Sequence, residues 1–335
     1  MPVQNAPLGV RYVAPHRLND ELRACRFILG IVDYGGISRL TDEPTCPVIA
    51  VDMPLLGNQP FVEVWTSDTV VSSGKQQGIS FSHNDTGLFG AIEIKHSDQI
   101  WLDRDTYQAV SRMLSFIKNQ GYPHLLRIWN YLPEINAKDN EIERYRLFCL
   151  GRHQAFFEHG HVSNHELPAA STLGTQAGSL WIYFLAATLP GIQCENPRQL
   201  SAYSYPRQYG PRSPSFARAT LMRWGKEWHL YISGTASIVG YLSLHAGDVR
   251  QQLGETLANI KALIEHTALD VGADMSAADL ALLKVYIRHA QHYPVVKEML
   301  EKSLGKEVPI LYLQADICRS DLLLEVEGVC VGPAN

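Results

Sequence analysis

The run Gln314-Ala315-Asp316-Ile317-Cys318-Arg319-Ser320-Asp321-Leu322-Leu323-Leu324-Glu325-Val326-Glu327-Gly328 sets two glutamates two residues apart. In a strand from Leu322, alternate side chains share a face, so Leu323, Glu325 and Glu327 fall on one side. Leu322, Leu324 and Val326 fall on the other. A glutamate on a dry face has a raised pKa and can serve as a proton donor. Composition alone favours the other reading, an edge strand with its acidic face in water.

A second chemistry-bearing stretch is Glu195-Asn196-Pro197-Arg198-Gln199, followed by Tyr203 to Pro214 and Arg218. It contains four arginines, three tyrosines and four prolines. Proline restricts the backbone, arginine binds carboxylates bidentately and tyrosine adds a hydroxyl donor. Recognition of an anionic ligand and a solvated surface loop both fit this composition. Ser233-Gly234-Thr235-Ala236-Ser237-Ile238-Val239-Gly240 is a run of small residues at a strand end. Such a run lets a ligand approach the backbone, but it lacks the lysine of a phosphate loop.

His159, His161 and His165 suggest a metal site, yet their spacing matches no standard zinc pattern and no cysteine lies close by. The chain has no G-x-G-x-x-G, G-x-S-x-G or H-E-x-x-H motif, so neither a dinucleotide nor a serine triad is indicated. A solvated loop is the favoured reading of these three histidines.

These groups need a scaffold. The chain has 335 residues, 46% hydrophobic and 19% charged, which suffices for two core units. Its net charge of −5 does not favour nucleic-acid binding. Six dispersed cysteines (Cys25, Cys46, Cys149, Cys194, Cys318 and Cys330) fit reduced thiols. Met1 to Pro15 lacks the apolar core of a leader, and Leu180 to Leu189 is too short to span a bilayer. A soluble, cytoplasmic protein is expected.

Strand patterns occur at Phe27–Val32, Val48–Val51, Phe61–Val71 and Leu88–Ile94. Helical spacing follows at Asp103–Lys118, a strand at His124–Leu132, a helix at Asn140–Phe157 and a strand at Leu180–Ala187. The second half repeats the order: a hairpin of Ala219–Trp224 and Glu227–Gly234, a helix at Asp248–His266 and a strand at Ala281–Ile287. A helix at Val295–Leu304 and strands at Pro309–Gln314 and Leu322–Val331 complete it. The pattern predicts an α+β protein of two similar units, each a mixed sheet with helices on one face. The expected divisions are residues 1–190, a connecting loop at 191–218, and residues 219–335, with a ligand cleft between the units.

Taken in order, several segments resemble the chorismatase family of the YjgF/RidA-like superfamily. They are Arg127-Ile128-Trp129-Asn130-Tyr131-Leu132-Pro133 with Ile135-Asn136, Tyr145-Arg146, and Phe148 with Gly151-Arg152. The Glu195–Gln199 segment, the Tyr203–Ser215 loop, Ser233–Gly240 and Cys318–Glu327 continue the match. The resemblance covers roughly 200 residues; the first 75 residues contribute little to it.

The resemblance implies two YjgF/RidA-like units, the N-terminal one degenerate, and cofactor-free removal of pyruvate from chorismate. It assigns the acid to Glu325, which would protonate the enolpyruvyl methylene. It assigns the two substrate carboxylates to Arg152, Arg212 and Arg218, supported by Tyr205 and Tyr209, with Arg319 as a further candidate. Cys318 and Gly240 stand where hydrolysing relatives look like alanine and benzoate-forming ones like cysteine and glycine, which implies aromatic products. The whole sequence resembles the dual-product subtype, which implies 3-hydroxybenzoate with 4-hydroxybenzoate. The alternatives are hydrolysis to a dihydroxycyclohexadiene carboxylate, a RidA-like imine deaminase or small-ligand binding protein, and a non-catalytic interaction protein. Association as a homo-oligomer, as in RidA-like trimers, is left open.

Overall fold

The computed structural model describes residues 8–24, 27–36, 44–57, 61–95, 101–161, 166–305 and 307–334. Cys25, His165 and residues 1–7 of the stretch read for a leader lie outside these. Three sheets share one apolar core, and each covers its outer face with helix.

The first sheet holds β1 (Leu8–Val13), β2 (Ile28–Tyr34), β3 (Val48–Val51) and β4 (Val62–Ser67), in the order β1-β4-β2-β3. Helix α1 (Pro15–Ala24) joins β1 to β2 and sets Leu18 against Ile31, Val62 and Val64.

The second sheet holds β5 (Ser72–Gln76), β6 (Ile79–His83), β7 (Gly87–Ile94) and β8 (His124–Pro133). A short ladder of β9 (Lys138–Asp139) and β10 (Ile142–Glu143) follows, then β11 (Ala169–Thr175) and β12 (Leu180–Ala187). The sheet order is β11-β8-β12-β7-β6-β5. Helices α2 (Leu102–Asn119) and α3 (Arg144–Glu158) cover it, burying Val110, Met113, Phe148 and Phe156.

The third sheet holds β13 (Ile192–Cys194), β14 (Ala219–Trp224) and β15 (Glu227–Thr235). The small hairpin of β16 (Ile238–Val239) and β17 (Leu242–Ser243) comes next, followed by β18 (Leu280–Ile287), β19 (Ile310–Gln314) and β20 (Leu324–Pro333). Its order is β13-β14-β15-β20-β18-β19. Helices α4 (Val249–Val271) and α5 (Tyr293–Leu304) cover it. Asp248 caps α4 by accepting from Gln251 N at 3.0 Å, and Gly272 ends it in the left-handed conformation.

The second and third sheets have the same topology. β11 pairs parallel with β8 as β19 pairs with β18, and the remaining neighbours are antiparallel in both. A register shift recurs at the matching place: β8 skips Leu126 against β12, and β18 skips Ala281 against β20. The expected repeat is therefore present. Counting from these shifts sets Trp181 opposite Tyr131 where the third sheet sets Glu325 opposite Tyr286. Tyr183 likewise takes the place of Glu327.

Three sequence expectations are corrected. β20 lies between β15 and β18, so the strand that composition reads as an edge is central and both its faces are buried. The helix expected from Asn140 starts at Arg144, because Asn140 and Glu141 adopt positive φ in the β9–β10 turn. The segment 191–218, read as a loop, contributes β13 to the third sheet.

Candidate active site

Glu325 and Glu327 share the face of β20 that looks toward the second sheet. Both are buried, at 4% and 1% exposure. Their surroundings differ. Glu327 pairs with Arg127 from β8 at 2.7 Å and with Lys284 from β18 at 2.8 Å. Trp129 Nε1 donates to it at 2.9 Å, Tyr286 OH at 3.2 Å, and the Ser171 hydroxyl also donates. Burial alone would raise the Glu327 carboxyl, but Lys284 and Arg127 outweigh it and hold the group below its ordinary value.

Glu325 is pushed the other way, up to about 8. Burial is the main cause and the Glu327 carboxylate adds to it, while Arg127 and Arg218 oppose. Room for the Glu325 carboxyl comes from β15. Between Ile232 and Thr235 that strand carries one residue more than β20, a bulge absent from the corresponding β7–β12 pairing. Gly234 sits in the bulge, and a Cβ there would overlap Glu325 Oε1. Its N–H donates to Ser171 Oγ at 2.9 Å.

The carboxyl opens onto a cavity between the two sheets. Six of the residues assigned from sequence line it: Glu325, Cys318, Tyr205, Tyr209, Arg218 and Arg319. Arg319 lies over the Tyr209 ring at 3.9 Å and the Tyr205 ring at 5.2 Å. Its Nη1 donates to Tyr241 O at 2.8 Å and Ser243 Oγ at 3.1 Å, while Nη2 is buried with no hydrogen-bond partner. Arg218 Nη2 donates to Tyr205 OH and to Leu200 O, both at 2.7 Å, while its buried Nε has no hydrogen-bond partner. The Cys318 thiol is pushed above its ordinary value by burial first and by Glu325 second.

Three assigned residues lie off the cavity wall. Arg152 is buried behind it and donates to Ser215 O at 3.0 Å, fixing the end of the Tyr203–Ser215 loop. Arg212 is exposed on the outer side of that loop, near His153. Gly240 occupies the β16–β17 turn with φ of 58°, where a Cβ would meet nothing. It does not line the cavity. It shapes the hairpin whose Tyr241 carbonyl holds Arg319.

Sequence reasoning missed Tyr145, Arg146, Gln199, Phe216 and Ser171 as wall residues. The first three stood in the motifs quoted above without an assigned role. Ser171 lies on β11, which the strand pattern did not reveal. Among the described residues no cluster of three or more His, Cys, Asp or Glu is placed to hold a metal. No helix among them is long and apolar enough to cross a membrane.

The cavity combines a protonatable carboxyl with arginines that retain free donors, an arrangement that suits proton transfer to an anionic ligand. Comparison with known proteins agrees. Residues 63–186 match the family model for the N-terminal part of FkbO/Hyg5-like chorismatases. Over 314 residues the chain is 35% identical to a 3-hydroxybenzoate synthase of Streptomyces hygroscopicus, covering 91% of this chain and 92% of that one.

The chain belongs to the chorismatase family.

A chorismatase of Streptomyces rapamycinicus is 33% identical over 318 residues, covering 92% of this chain and 94% of its own. A chorismatase crystal structure matches with a TM-score of 0.88 at 32% identity, covering 97% of this chain and 98% of that one. The resemblance read from the motifs is thus borne out, and it extends to the chorismatase fold as a whole.

Proposed function

We propose that the chain converts chorismate to pyruvate and 3-hydroxybenzoate, with 4-hydroxybenzoate as a second product. The observation that supports this reading is Glu325, a buried carboxyl that keeps its proton near neutral pH at the wall of an arginine-lined cavity.

Chorismate carries a ring carboxylate and an enolpyruvyl carboxylate. Arg218 and Arg319 supply the cations for them, with Tyr205 and Tyr209 orienting both guanidinium groups and Arg146 beside them on the wall. Arg152 acts from behind, by fixing Ser215. Glu325 gives its proton to the enolpyruvyl methylene, generating an oxocarbenium ion. Pyruvate then departs, the ring loses a proton and becomes aromatic. The two organic products together contain every atom of chorismate, so no water is consumed overall. Pyruvate carries the C3 ether oxygen away as its carbonyl, so the C4 oxygen decides the product. Kept at C4 it gives 4-hydroxybenzoate, shifted to C3 it gives 3-hydroxybenzoate, and Cys318 on the same wall is assigned to that shift. Gly240 acts on it through the hairpin that holds Arg319.

The test is incubation with chorismate and no added cofactor, following pyruvate and separating the aromatic products. Pyruvate with both hydroxybenzoates supports the full reading. Pyruvate with only the dihydroxycyclohexadiene carboxylate keeps the acid and overturns the roles of Cys318 and Gly240. Absence of pyruvate above the uncatalysed background overturns the activity.

A further inference from the structure

The carboxylate beside Glu325 belongs to a buried cluster that reaches into the first sheet. Lys284 lies between Glu327 and Glu63, at 2.8 Å from each. Glu63 comes from β4, in the N-terminal region that the sequence motifs leave unassigned. Its Oε1 accepts from Trp65 Nε1 at 2.6 Å, and its side chain is 1% exposed. Arg127 completes the set at 2.7 Å from Glu327. Two cations and two anions therefore stand in one dry core, where water screens little.

We propose that Glu63 is a positioning residue for the acid: it balances Lys284, so that the four charges behind Glu325 cancel and Glu325 keeps its proton. Without Glu63, Lys284 and Arg127 together exceed the single charge of Glu327. The excess positive charge then favours the carboxylate form of Glu325, which has no proton to give. The N-terminal sheet thereby takes part in the reaction without touching substrate. This inference rests on Glu325 being the acid.

Charged and titratable groups face Glu325 from every side. Glu327 lies on its own strand, Arg127 on β8, Tyr145 on α3 and Tyr286 opposite it on β18. Arg218 and Cys318 approach from the loops. Around Lys284 and Glu63 stand the hydroxyls of Tyr34 and Tyr183, with Lys284 Nζ at 3.2 and 2.9 Å from them. Tyr12 and Tyr131 also face these charges. Burial raises the tyrosines first, and their neighbouring carboxylates add to it, so they stay neutral in the working pH range. The balance behind Glu325 is left to the four charged residues, while Arg218 faces it from the cavity side in every variant.

The experiment is the pH profile of kcat/KM on chorismate for the full chain, Glu63→Gln and the double variant Glu63→Gln with Lys284→Met. Glu63→Gln is expected to move the alkaline limb to lower pH by about half a unit or more. The double variant removes one charge of each sign and is expected to bring the limb back toward wild type. A purely structural role for Glu63 would lower rates without this reversal. Should the glutamine variant fail to fold, Glu63→Ser, which leaves space for water beside Lys284, carries the same expectation. An unmoved alkaline limb in a folded Glu63 variant overturns the inference. Glu325→Gln separates the two failures. If it is inactive while Glu63→Gln leaves the limb in place, only the role of Glu63 falls. If it keeps turnover, the acid assignment itself falls.

Discussion

Glu325 and Glu327 stand two residues apart on one strand face, yet their neighbours drive the two carboxyls in opposite directions. Glu327 faces two cations, each within 2.8 Å, and is held ionised. Glu325 faces the bulge at Gly234 and the charge of Glu327, and holds its proton up to about 8. One glutamate is the charged support and the other the acid, and environment alone makes the difference.

If Glu325 is the acid, Glu325→Gln should lower kcat by about 10²–10⁴-fold while leaving the circular dichroism spectrum unchanged. The wild-type rate needs the protonated form, so it should fall as pH rises through about 8. A glutamine variant with near wild-type turnover would falsify the assignment.

The same group makes stability depend on pH. Its folded-state pKa is raised from the ordinary 4.5 to about 8, so the folded chain binds the proton more tightly than the unfolded one. Stability from this group is complete below about 4.5 and is lost as pH rises through about 8. The full loss is on the order of 5 kcal/mol, of which about 3 kcal/mol falls above pH 6. Denaturant unfolding at pH 6 and pH 9 should show a decline in wild type that is smaller in Glu325→Gln. Equal declines in both would place the pH dependence elsewhere.

Arg319 and Arg212 should separate in kinetics. Arg319 lines the cavity with an unpartnered Nη2, and Arg212 is exposed outside it. Arg319→Ala should raise KM for chorismate by roughly 30-fold, the loss of about 2 kcal/mol from a charged pair. Arg212→Ala should change KM by less than about threefold, as for a solvated charge. The reverse ranking would mean that the loop closes over the substrate with Arg212 inward.

Gly234→Ala tests the bulge. The added methyl competes with Glu325 Oε1 for the same space and has Ser171 Oγ within 3.1 Å. Displacing the carboxyl by about 1 Å should reduce kcat by about 10²-fold. If kcat and the thermal midpoint both stay at wild-type values, the bulge is not what seats the acid.

Local sequence carried a good part of this site. Glu325, Cys318 and Arg319 fall within one short run, and the tyrosines and Arg218 within another, so alternation and composition pointed to both runs, while the family resemblance supplied the roles. The repeat was also legible, because helix and strand periods recur in the same order. The charged partners were not. Arg127, Lys284 and Glu63 lie on three separate strands, and only tertiary packing makes them neighbours. β11 escaped notice because Ala169–Thr175 is built of small residues rather than branched or aromatic ones. The central place of β20 was missed for a related reason: a strand bearing two glutamates reads as solvated until the cations that bury them are seen.

The matching register shifts in β8 and β18 align two similar frames, of which one carries the acid. Where one copy presents Glu325, the other presents Trp181, whose indole N–H is far too weak an acid for the step. The duplication thus supplies two scaffolds and a single chemical centre. Calorimetric titration with a substrate analogue should saturate at one equivalent per chain, with a hyperbolic isotherm for each polypeptide.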